Sequence, residues 1–193
     1  MAVSEKGRRT VDKWKKKQWF TFVASKTFNK KPLAQTPAEK PLQLLGRTIK
    51  VTLDNLTGQR ARRDYTVVFK NESVQGQTIN TFVSKYYMNA GSLIRLIRRR
   101  NSKVTTVKEI PVENGTAMLT VTAITAKKAV QSQKTGIRAI IDEELSTLSN
   151  KNFEDVVKET LFGNTTNNIF KKAGKVCLVK KVIISKATFT QSK

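Results

Sequence analysis

Apolar and polar side chains alternate strictly in Arg47-Thr48-Ile49-Lys50-Val51-Thr52-Leu53. The apolar residues Ile49, Val51 and Leu53 share one side of an extended chain, and threonine and lysine residues occupy the other side. This period of two predicts a β-strand with one buried face. Because similar patterns recur further along the chain, we expect strands between residues 45 and 125 to form the scaffold of the fold.

Four more segments in this region predict strands. The run 64–70 places Tyr65, Val67 and Phe69 on one face, and its β-branched and aromatic content favours a strand. Residues 74–83 predict a weaker strand with a glycine bulge or bend. An Asn114-Gly115 pair separates the runs 103–112 and 116–125 and predicts a hairpin with a type I′ turn.

A last strand is predicted over residues 176–185. This segment is apolar on both faces apart from Lys180 and Lys181, which indicates pairing well inside a sheet. It must return beside the early strands. We therefore expect a mostly antiparallel, barrel-like sheet.

Helical periodicity appears in four places. A helix is predicted from an N-cap at Ser92 to about Arg100, and an amphipathic helix is predicted by the spacing of apolar residues over 137–148. Asn152 can cap a third helix that ends near Gly163, and a fourth is expected over 165–173. With the strands, these helices predict an α+β fold.

Composition divides the chain into three parts. Residues 1–47 contain twelve Lys/Arg against three Asp/Glu, and three of the four prolines lie in the same segment. We interpret residues 1–44 as a basic, extended N-terminal arm, because a strongly cationic segment gains little from folding alone. Residues 45–186 are expected to form a single globular domain and residues 187–193 a disordered tail.

The charge of the chain points to a polyanionic partner. There are 37 Lys+Arg and 14 Asp+Glu, which gives a formal charge of +23 and an isoelectric point near 10.4. Solubility alone requires far less charge. Nucleic acid and an anionic membrane surface both fit, but no apolar run approaches the ~20 residues of a membrane-spanning helix.

Several classes of catalytic site are excluded by residue content. The sequence has no histidine, which removes imidazole acid–base catalysis and histidine-ligated zinc sites. The single cysteine, Cys177, lies in an apolar run and is expected to be a buried, inert thiol in a strand. No glycine-rich phosphate loop is present. We therefore expect no cofactor, no metal, no catalytic residue and no enzymatic activity.

The N-terminus has basic residues without a following apolar run, so we expect no secretory signal and a cytoplasmic protein.

The predicted helix that begins at Ser92 is the strongest candidate for binding phosphate. Arg95, Arg98 and Arg99 fall on the side of the helix opposite its apolar residues. No Asp or Glu occurs between Glu72 and Glu109, so the nearby sequence offers these arginines no counter-ion. Arginine suits phosphate binding because its donors are planar and bidentate.

Other basic clusters extend the predicted RNA-binding set. Aromatic residues alternate with lysines near Trp14, as in proteins that stack on unpaired bases, although Trp19 and Phe20 could instead anchor the arm to the core. The arginines of residues 60–63 are either solvated or bound to phosphate. The full predicted set is Lys6, Arg8, Arg9, Lys13, Trp14, Lys15, Lys16, Lys17, Lys30, Lys31, Arg60, Arg62, Arg63, Arg95, Arg98, Arg99, Arg100, Lys103, Lys127, Lys128, Lys134 and Arg138.

Acidic residues are concentrated in the predicted helices after residue 137. Six of the eleven that follow Arg47 lie between Asp142 and Glu159. They occupy helix-surface positions, and nothing in the sequence indicates a cleft beside them. We therefore expect this face to point away from the polyanion and not to catalyse a reaction.

Short motifs in a fixed order give the chain a resemblance to a known family. They are Lys17-Gln18-Trp19-Phe20, Leu45-Gly46-Arg47, Leu53-Asp54-Asn55-Leu56-Thr57-Gly58, Ile94-Arg95-Leu96-Ile97-Arg98-Arg99-Arg100-Asn101-Ser102, Gln131-Ser132-Gln133-Lys134 and Leu161-Phe162-Gly163 before Ile169-Phe170-Lys171. The set resembles the small-subunit ribosomal protein family shared by archaea and eukaryotes, written S-one-e or, in the older nomenclature, S-three-a-e. The likeness runs from about Trp19 to Ile184.

The resemblance implies a β-barrel-like core with packed helices, bound to ribosomal RNA on the platform of the small subunit near the mRNA exit. It implies neighbouring platform proteins and mRNA as further partners, a role in translation, and no enzymatic activity. Two segments depart from the family pattern: Asn89-Ala90-Gly91-Ser92 replaces Thr-Arg-Asp, and Val176-Cys177-Leu178 replaces Tyr-Pro-Leu. The alternative is a non-ribosomal chromatin or DNA-binding protein.

Overall fold

The structure, a computed structural model, describes residues 14–113, 115–149 and 151–191. These residues form an α+β fold of eight strands and five α-helices. The strands are β1 (Gln18–Val23), β2 (Pro32–Ala38), β3 (Thr48–Thr52), β4 (Tyr65–Gln75), β5 (Thr78–Met88), β6 (Lys103–Val112), β7 (Gly115–Thr125) and β8 (Val179–Gln191). The helices are α1 (Leu53–Thr57), α2 (Ala90–Leu96), α3 (Gln131–Ser146), α4 (Phe153–Phe162) and α5 (Asn164–Gly174).

All eight strands belong to one mixed sheet. The hydrogen-bonded order is β2-β1-β5-β8-β7-β6, and β3 and β4 extend it from the other edge of β5. β5 has three neighbours because β1 pairs with its first residues, in parallel, and β8 pairs with its last ones. No pairing between described residues joins β6 to β2 or β3. The predicted closure into a barrel is therefore absent from the described strands, and the sheet is open.

The predicted position of the last strand is confirmed. β8 lies between β5 and β7 and pairs antiparallel with both. Its buried residues other than Ile183 join the large apolar cluster that also contains Leu119 and Val121 of β7 and Ile137 and Ile141 of α3. Helices therefore cover the inner face of the sheet.

The first two predicted strands are present. Val67 and Phe69 of β4 are fully buried, and β4 pairs with β3 in the register Val51 to Val67. The prediction of one bent strand over residues 74–83 is wrong, because Gln75 ends β4 and pairs with Thr78 of β5 across a tight turn. Gly76 has a φ of +57° there, a conformation that glycine adopts without strain. The glycine thus reverses the chain between two long strands.

The predicted hairpin at Asn114-Gly115 is present, with its turn displaced by one residue. β6 and β7 pair from Lys103–Ile124 to Val112–Gly115, so Gly115 belongs to the strand. The connection consists of Glu113 and Asn114, and Asn114 lies outside the described residues.

Much of the predicted N-terminal arm belongs to the sheet. β1 pairs with both β2 and β5, and its residues Phe20 and Phe22 are buried to about the same extent as the rest of the core. Trp19 is 60% exposed because strand alternation turns it to the opposite side. The arm prediction is wrong for residues 18–38, where aromatic burial outweighs the basic composition. Residues 1–13 lie outside the described residues.

The predicted C-terminal tail also differs from the structure. β8 pairs with β7 as far as Gln191, and Phe189 is buried against Phe153 at a ring-centroid distance of 5.7 Å. Residues 192 and 193 lie outside the described part. Cys177 precedes β8 and is half-buried, so it is not in a strand as predicted, and burial raises the pKa of its thiol.

The predicted helices after residue 130 are confirmed as α3, α4 and α5. Asn152 stands at the N-cap of α4, and the inner residues Val156, Val157 and Leu161 are buried as their spacing predicts. Among the helices of the described residues, none has the length and apolar character needed to cross a membrane.

Candidate nucleic-acid interface

A group of basic residues meets at the end of the sheet where β6 and β8 begin and β7 ends. Lys103 of β6 pairs with Ile124 of β7, and Ile124 pairs in turn with Lys181 of β8. Arginines of the α2–β6 loop and lysines that follow β7 surround this point. We call the exposed residues Arg98, Arg99, Arg100, Lys103, Lys127 and Lys128 the basic end.

A buried hydrogen-bond network fixes the backbone of the basic end. The Thr125 hydroxyl accepts a hydrogen bond from the Ser102 amide at 2.9 Å and donates to the Lys127 carbonyl at 2.6 Å. The Ser102 hydroxyl accepts from the Ala129 amide at 3.0 Å. Because Thr125 is only 1% exposed, this network ties the loops before β6 and after β7 to one rigid point.

The arginines of the basic end lie beyond α2, which is shorter than predicted. Asn89 is the N-cap, and its side chain accepts from the Gly91 amide, so the predicted cap at Ser92 is wrong. The helix ends at Leu96 because the Ser102 amide is hydrogen-bonded to Thr125. The chain must therefore turn between Leu96 and Ser102. Arg98, Arg99 and Arg100 are therefore displayed on a loop, not on a helical face.

An apolar contact holds α2 against the sheet. Leu93, Leu96 and Ile97 pack against Ile124 of β7 and Ile183 of β8. This contact buries the side of α2 that its periodicity predicts and leaves the following arginines exposed.

One carboxylate reaches this region from a distant part of the chain. The Ser92 hydroxyl donates to Asp64 Oδ1 at 2.6 Å and accepts from Arg95 Nη2 at 2.8 Å. Arg95 Nη2 also lies 3.9 Å from Asp64 Oδ1, so the expectation that Arg95 has no counter-ion is wrong. Both side chains are substantially exposed, and such pairs contribute at most about 1 kcal/mol.

None of the ion pairs between described residues includes a member of the basic end. The other pairs join lysines to carboxylates of α3 and α4, at positions such as Lys172 with Glu144 and Lys151 with Glu159. Lysines of these helices therefore have carboxylate partners, whereas the cations of the basic end have none among the described residues.

Comparison with known proteins gives the family of the chain. The family model described as the Ribosomal S3Ae family matches residues 5–192. The chain belongs to this family. Two similar proteins are both named small ribosomal subunit protein eS1. The protein from Saccharolobus islandicus (strain M.16.27) is 34% identical to this chain over 186 residues, and the protein from Sulfurisphaera tokodaii is 35% identical over 177 residues. The first match covers 95% of this chain and 89% of the relative. The second match covers 91% of this chain and 92% of the relative.

Within this member of the Ribosomal S3Ae family, the predicted contact residues fall into separate groups. The arginines after α2 and the lysines Lys103, Lys127 and Lys128 come together in the basic end. Lys134 and Arg138 lie on α3, half-buried and exposed respectively. Arg60 and Arg63 are exposed just before β4, at the same end of the sheet, because Tyr65 pairs with Met88 at the end of β5.

Two residues of the predicted RNA-binding set also make contacts within the fold. Arg62 Nη1 donates to the Leu161 carbonyl at 2.9 Å, and its guanidinium lies 5.1 Å from the Phe162 ring centroid. Lys31 Nζ donates to the Asn55 carbonyl at 2.6 Å. Lys30 is exposed nearby.

The aromatic and basic residues near Trp14 lie far from the basic end. β1 runs parallel to β5 with Thr21 opposite Thr78, so residues before Gln18 extend past the beginning of β5, whereas α2 follows its end. Lys17 Nζ lies 3.7 Å from the Trp14 ring centroid, and Lys15 and Lys16 are exposed. Lys6, Arg8, Arg9 and Lys13 lie outside the described residues.

The sequence-based set missed Lys180 and Lys181. Ile124 pairs with Lys181 and Thr125 with Val179, so Lys180 is the extra residue of a β-bulge. A bulge turns two successive side chains to one side of a strand. The signal in the sequence was the lysine pair between Val179 and Val182, which interrupts an otherwise apolar run.

Proposed function

We propose that this chain is a structural constituent of the small ribosomal subunit and binds its ribosomal RNA through the basic end. The observation that carries the proposal is the rigid display of exposed cations without carboxylate partners among the described residues. Family membership supports the ribosomal setting, and the names of the relatives support the small subunit.

Binding would depend chiefly on phosphate contacts. Each cation that neutralises a phosphate releases a condensed counter-ion, so affinity falls steeply as salt concentration rises. The loop arginines can make bidentate contacts with phosphate, and the lysines contribute point charges. Because Thr125 and Ser102 fix the loop backbones, little ordering of the backbone is required on binding.

The proposed RNA-binding domain begins at β1 and extends through β8, since both strands belong to the sheet. Lys15, Lys16 and Lys30 would be secondary contacts, because they lie away from the basic end. Residues before Trp14 keep their predicted role as phosphate contacts.

The position within the subunit is proposed from the family resemblance. It places the chain on the platform near the mRNA exit, with neighbouring platform proteins and mRNA as further partners. The carboxylates of α3 and α4, such as Asp142 and Glu154, lie away from the basic end and would face protein neighbours. We propose a role in translation, in cytoplasmic ribosomes, and no enzymatic activity.

A competition experiment tests this proposal. The purified chain is bound to small-subunit ribosomal RNA and challenged with equal masses of unlabelled ribosomal RNA or duplex DNA over a range of salt concentrations. The proposal predicts steeply salt-dependent binding and preferential competition by ribosomal RNA. Equal competition by duplex DNA would favour a chromatin or DNA-binding protein, and affinity that ignores salt would contradict phosphate binding.

A further inference from the structure

A cleft of about 450 Å³ opens beside the basic end, and its lining contains no residue of the basic end. It lies between the beginnings of β4 and β8 on one side and the junction of α4 and α5 on the other. Its size falls within the range of about 300–1,000 Å³ found for small-ligand pockets. Its lining includes Arg62, Tyr65, Tyr86, Phe162, Phe170, Lys180 and Lys181.

Two aromatic rings are exposed at the helix junction. Phe162 ends α4 and Phe170 lies on α5, and they are 43% and 42% exposed. An apolar ring gains nothing from contact with water, and a planar surface of this kind can stack on a nucleic-acid base. Arg62 holds Phe162 in position, because its guanidinium contacts the Phe162 ring and donates to the Leu161 carbonyl.

The β-bulge in β8 supplies the charge of the cleft. Val179 and Val182 are both buried, so Lys180 and Lys181 between them both face outward and line the cleft. Neither lysine forms an ion pair with a described residue. The bulge thus places two ammonium groups beside the exposed aromatic rings.

Two tyrosines form the floor and offer unused hydrogen-bonding groups. The Tyr65 and Tyr86 rings stack with centroids 5.3 Å apart and an interplanar angle of 8°. Tyr86 is only 4% exposed, and no described hydrogen bond involves either phenol. Burial raises the pKa of both phenols, so both stay protonated and can donate at neutral pH.

We propose that this cleft holds one unpaired nucleotide of an RNA strand whose backbone continues onto the basic end. The base stacks on the exposed ring of Phe170 beside Phe162, the tyrosine hydroxyls contact its polar edge, and Lys180 and Lys181 bind the adjoining phosphates. Lys181 and Lys103 both flank Ile124, so the phosphate track leads directly from the cleft to the basic end. This inference rests on the proposed RNA-binding function.

Cross-linking provides the direct test. The full chain is bound to small-subunit ribosomal RNA, irradiated with short-wave ultraviolet light, and digested for mass spectrometry of nucleotide adducts. Adducts are expected on peptides that contain Phe162, Phe170 or Tyr65. If adducts form only on other parts of the chain, the assignment of the cleft is wrong.

Affinity measurements with matched variants complete the test. Phe170→Ala is expected to weaken RNA binding about 5- to 150-fold, since stacking contributes about 1–3 kcal/mol per base. Phe170→Tyr, which keeps a ring, is expected to retain most of the affinity. Val107→Ala, which shortens an exposed side chain on β6, is the control and should change nothing. Equal affinities for Phe170→Ala and Val107→Ala would overturn the inference.

The lysines are tested in the same way. Lys180→Ala with Lys181→Ala should reduce the slope of log affinity against log salt by about 1 to 2. Lys50→Ala with Lys85→Ala removes the same charge from exposed strand positions on either side of Val68 and should leave the slope nearly unchanged. Equal slopes for the two double variants would overturn the role of the bulge.

The outcomes separate the two proposals. If the unaltered chain does not bind ribosomal RNA, the proposed function fails. If it binds but the cleft variants match their controls, only the cleft inference fails.

Adenosine monophosphate alone should bind no tighter than about 1 mM, the affinity expected of one stacked base and one phosphate. Micromolar binding would instead assign the cleft to a free nucleotide, and a defect confined to assembly with ribosomal proteins would assign it to a protein segment.

Discussion

Lys103 and Lys181 pair with opposite edges of the same residue, Ile124, so their Cα atoms lie two strand spacings apart, or about 10 Å. Ile124 is fully buried beneath α2, whereas both lysines are exposed. This arrangement joins the basic end to the cleft through the backbone of the sheet. The electrostatic surface of the protein is therefore fixed by the same hydrogen bonds that fix the fold.

Replacement of Thr125 by valine tests the network beneath the basic end. Thr125→Val leaves the Ser102 amide and the Lys127 carbonyl without their buried partner, which should lower the free energy of unfolding by about 1–3 kcal/mol. RNA affinity should fall as well, because the loops that carry the cations lose their fixed positions. Urea denaturation and RNA titration measure the two effects.

Thr190→Val on the exposed surface of β8 is the control for this substitution, since it removes a hydroxyl of the same kind. A Thr125→Val variant as stable as the Thr190→Val control would show that the network does not support the loops.

Replacement of Asp64 by asparagine tests the electrostatics of the same region. Asp64→Asn removes the charge that faces Arg95 and keeps an acceptor for the Ser92 hydroxyl. RNA affinity should therefore rise about twofold to fivefold, corresponding to the up to about 1 kcal/mol of an exposed ion pair. Glu72→Gln, an exposed position on β4, should have little effect in the same filter-binding assay. Weaker binding of Asp64→Asn would contradict this account of Arg95.

The pH dependence of stability tests the ion pairs on the other side of the molecule. The hydrogen bond to Glu144 raises the pKa of Lys172 above its ordinary value of 10.5. A raised pKa in the folded state stabilises the fold below the ordinary pKa, and this contribution disappears as pH rises through the folded value. Lys172→Met should thus be less stable than the unaltered chain at neutral pH, and the difference should vanish in strong alkali.

Lys171→Met serves as the control, because Lys171 has no ion pair with a described residue. Urea denaturation at both pH values gives the comparison. A Lys172→Met difference that persists unchanged above the raised pKa would show that packing, and not charge, explains the loss.

Local patterns in the sequence predicted much of the fold. Alternation located β3 and the first half of β4, and the doubly apolar segment around Ile183 predicted an internal β8. The turn at Gly76 was misread because a glycine between two β-branched runs is compatible with a bend within one strand or a reversal between two. Strand pairing decides between them, and it depends on residues distant in sequence.

The candidate site was predicted less completely for the same reason. The end of α2 depends on the pairing of Ser102 with Thr125, and Arg62 is engaged by Leu161, 99 residues away. The outward direction of Lys180 depends on a bulge that is defined by the register with β7. The arginines themselves were predicted correctly as exposed cations, since the sequence around them contains no acidic residue.

The salt dependence of RNA binding by a triple variant tests the central claim most directly. Arg98→Gln, Arg99→Gln and Arg100→Gln together should reduce the slope of log affinity against log salt by about 2 to 3 without changing the melting temperature. The matched control changes Lys50, Lys85 and Lys186, three exposed strand residues outside the basic end, to glutamine. The account predicts a reduced slope for the arginine variant and a nearly unaltered one for the lysine variant, and equal slopes for the two would contradict it.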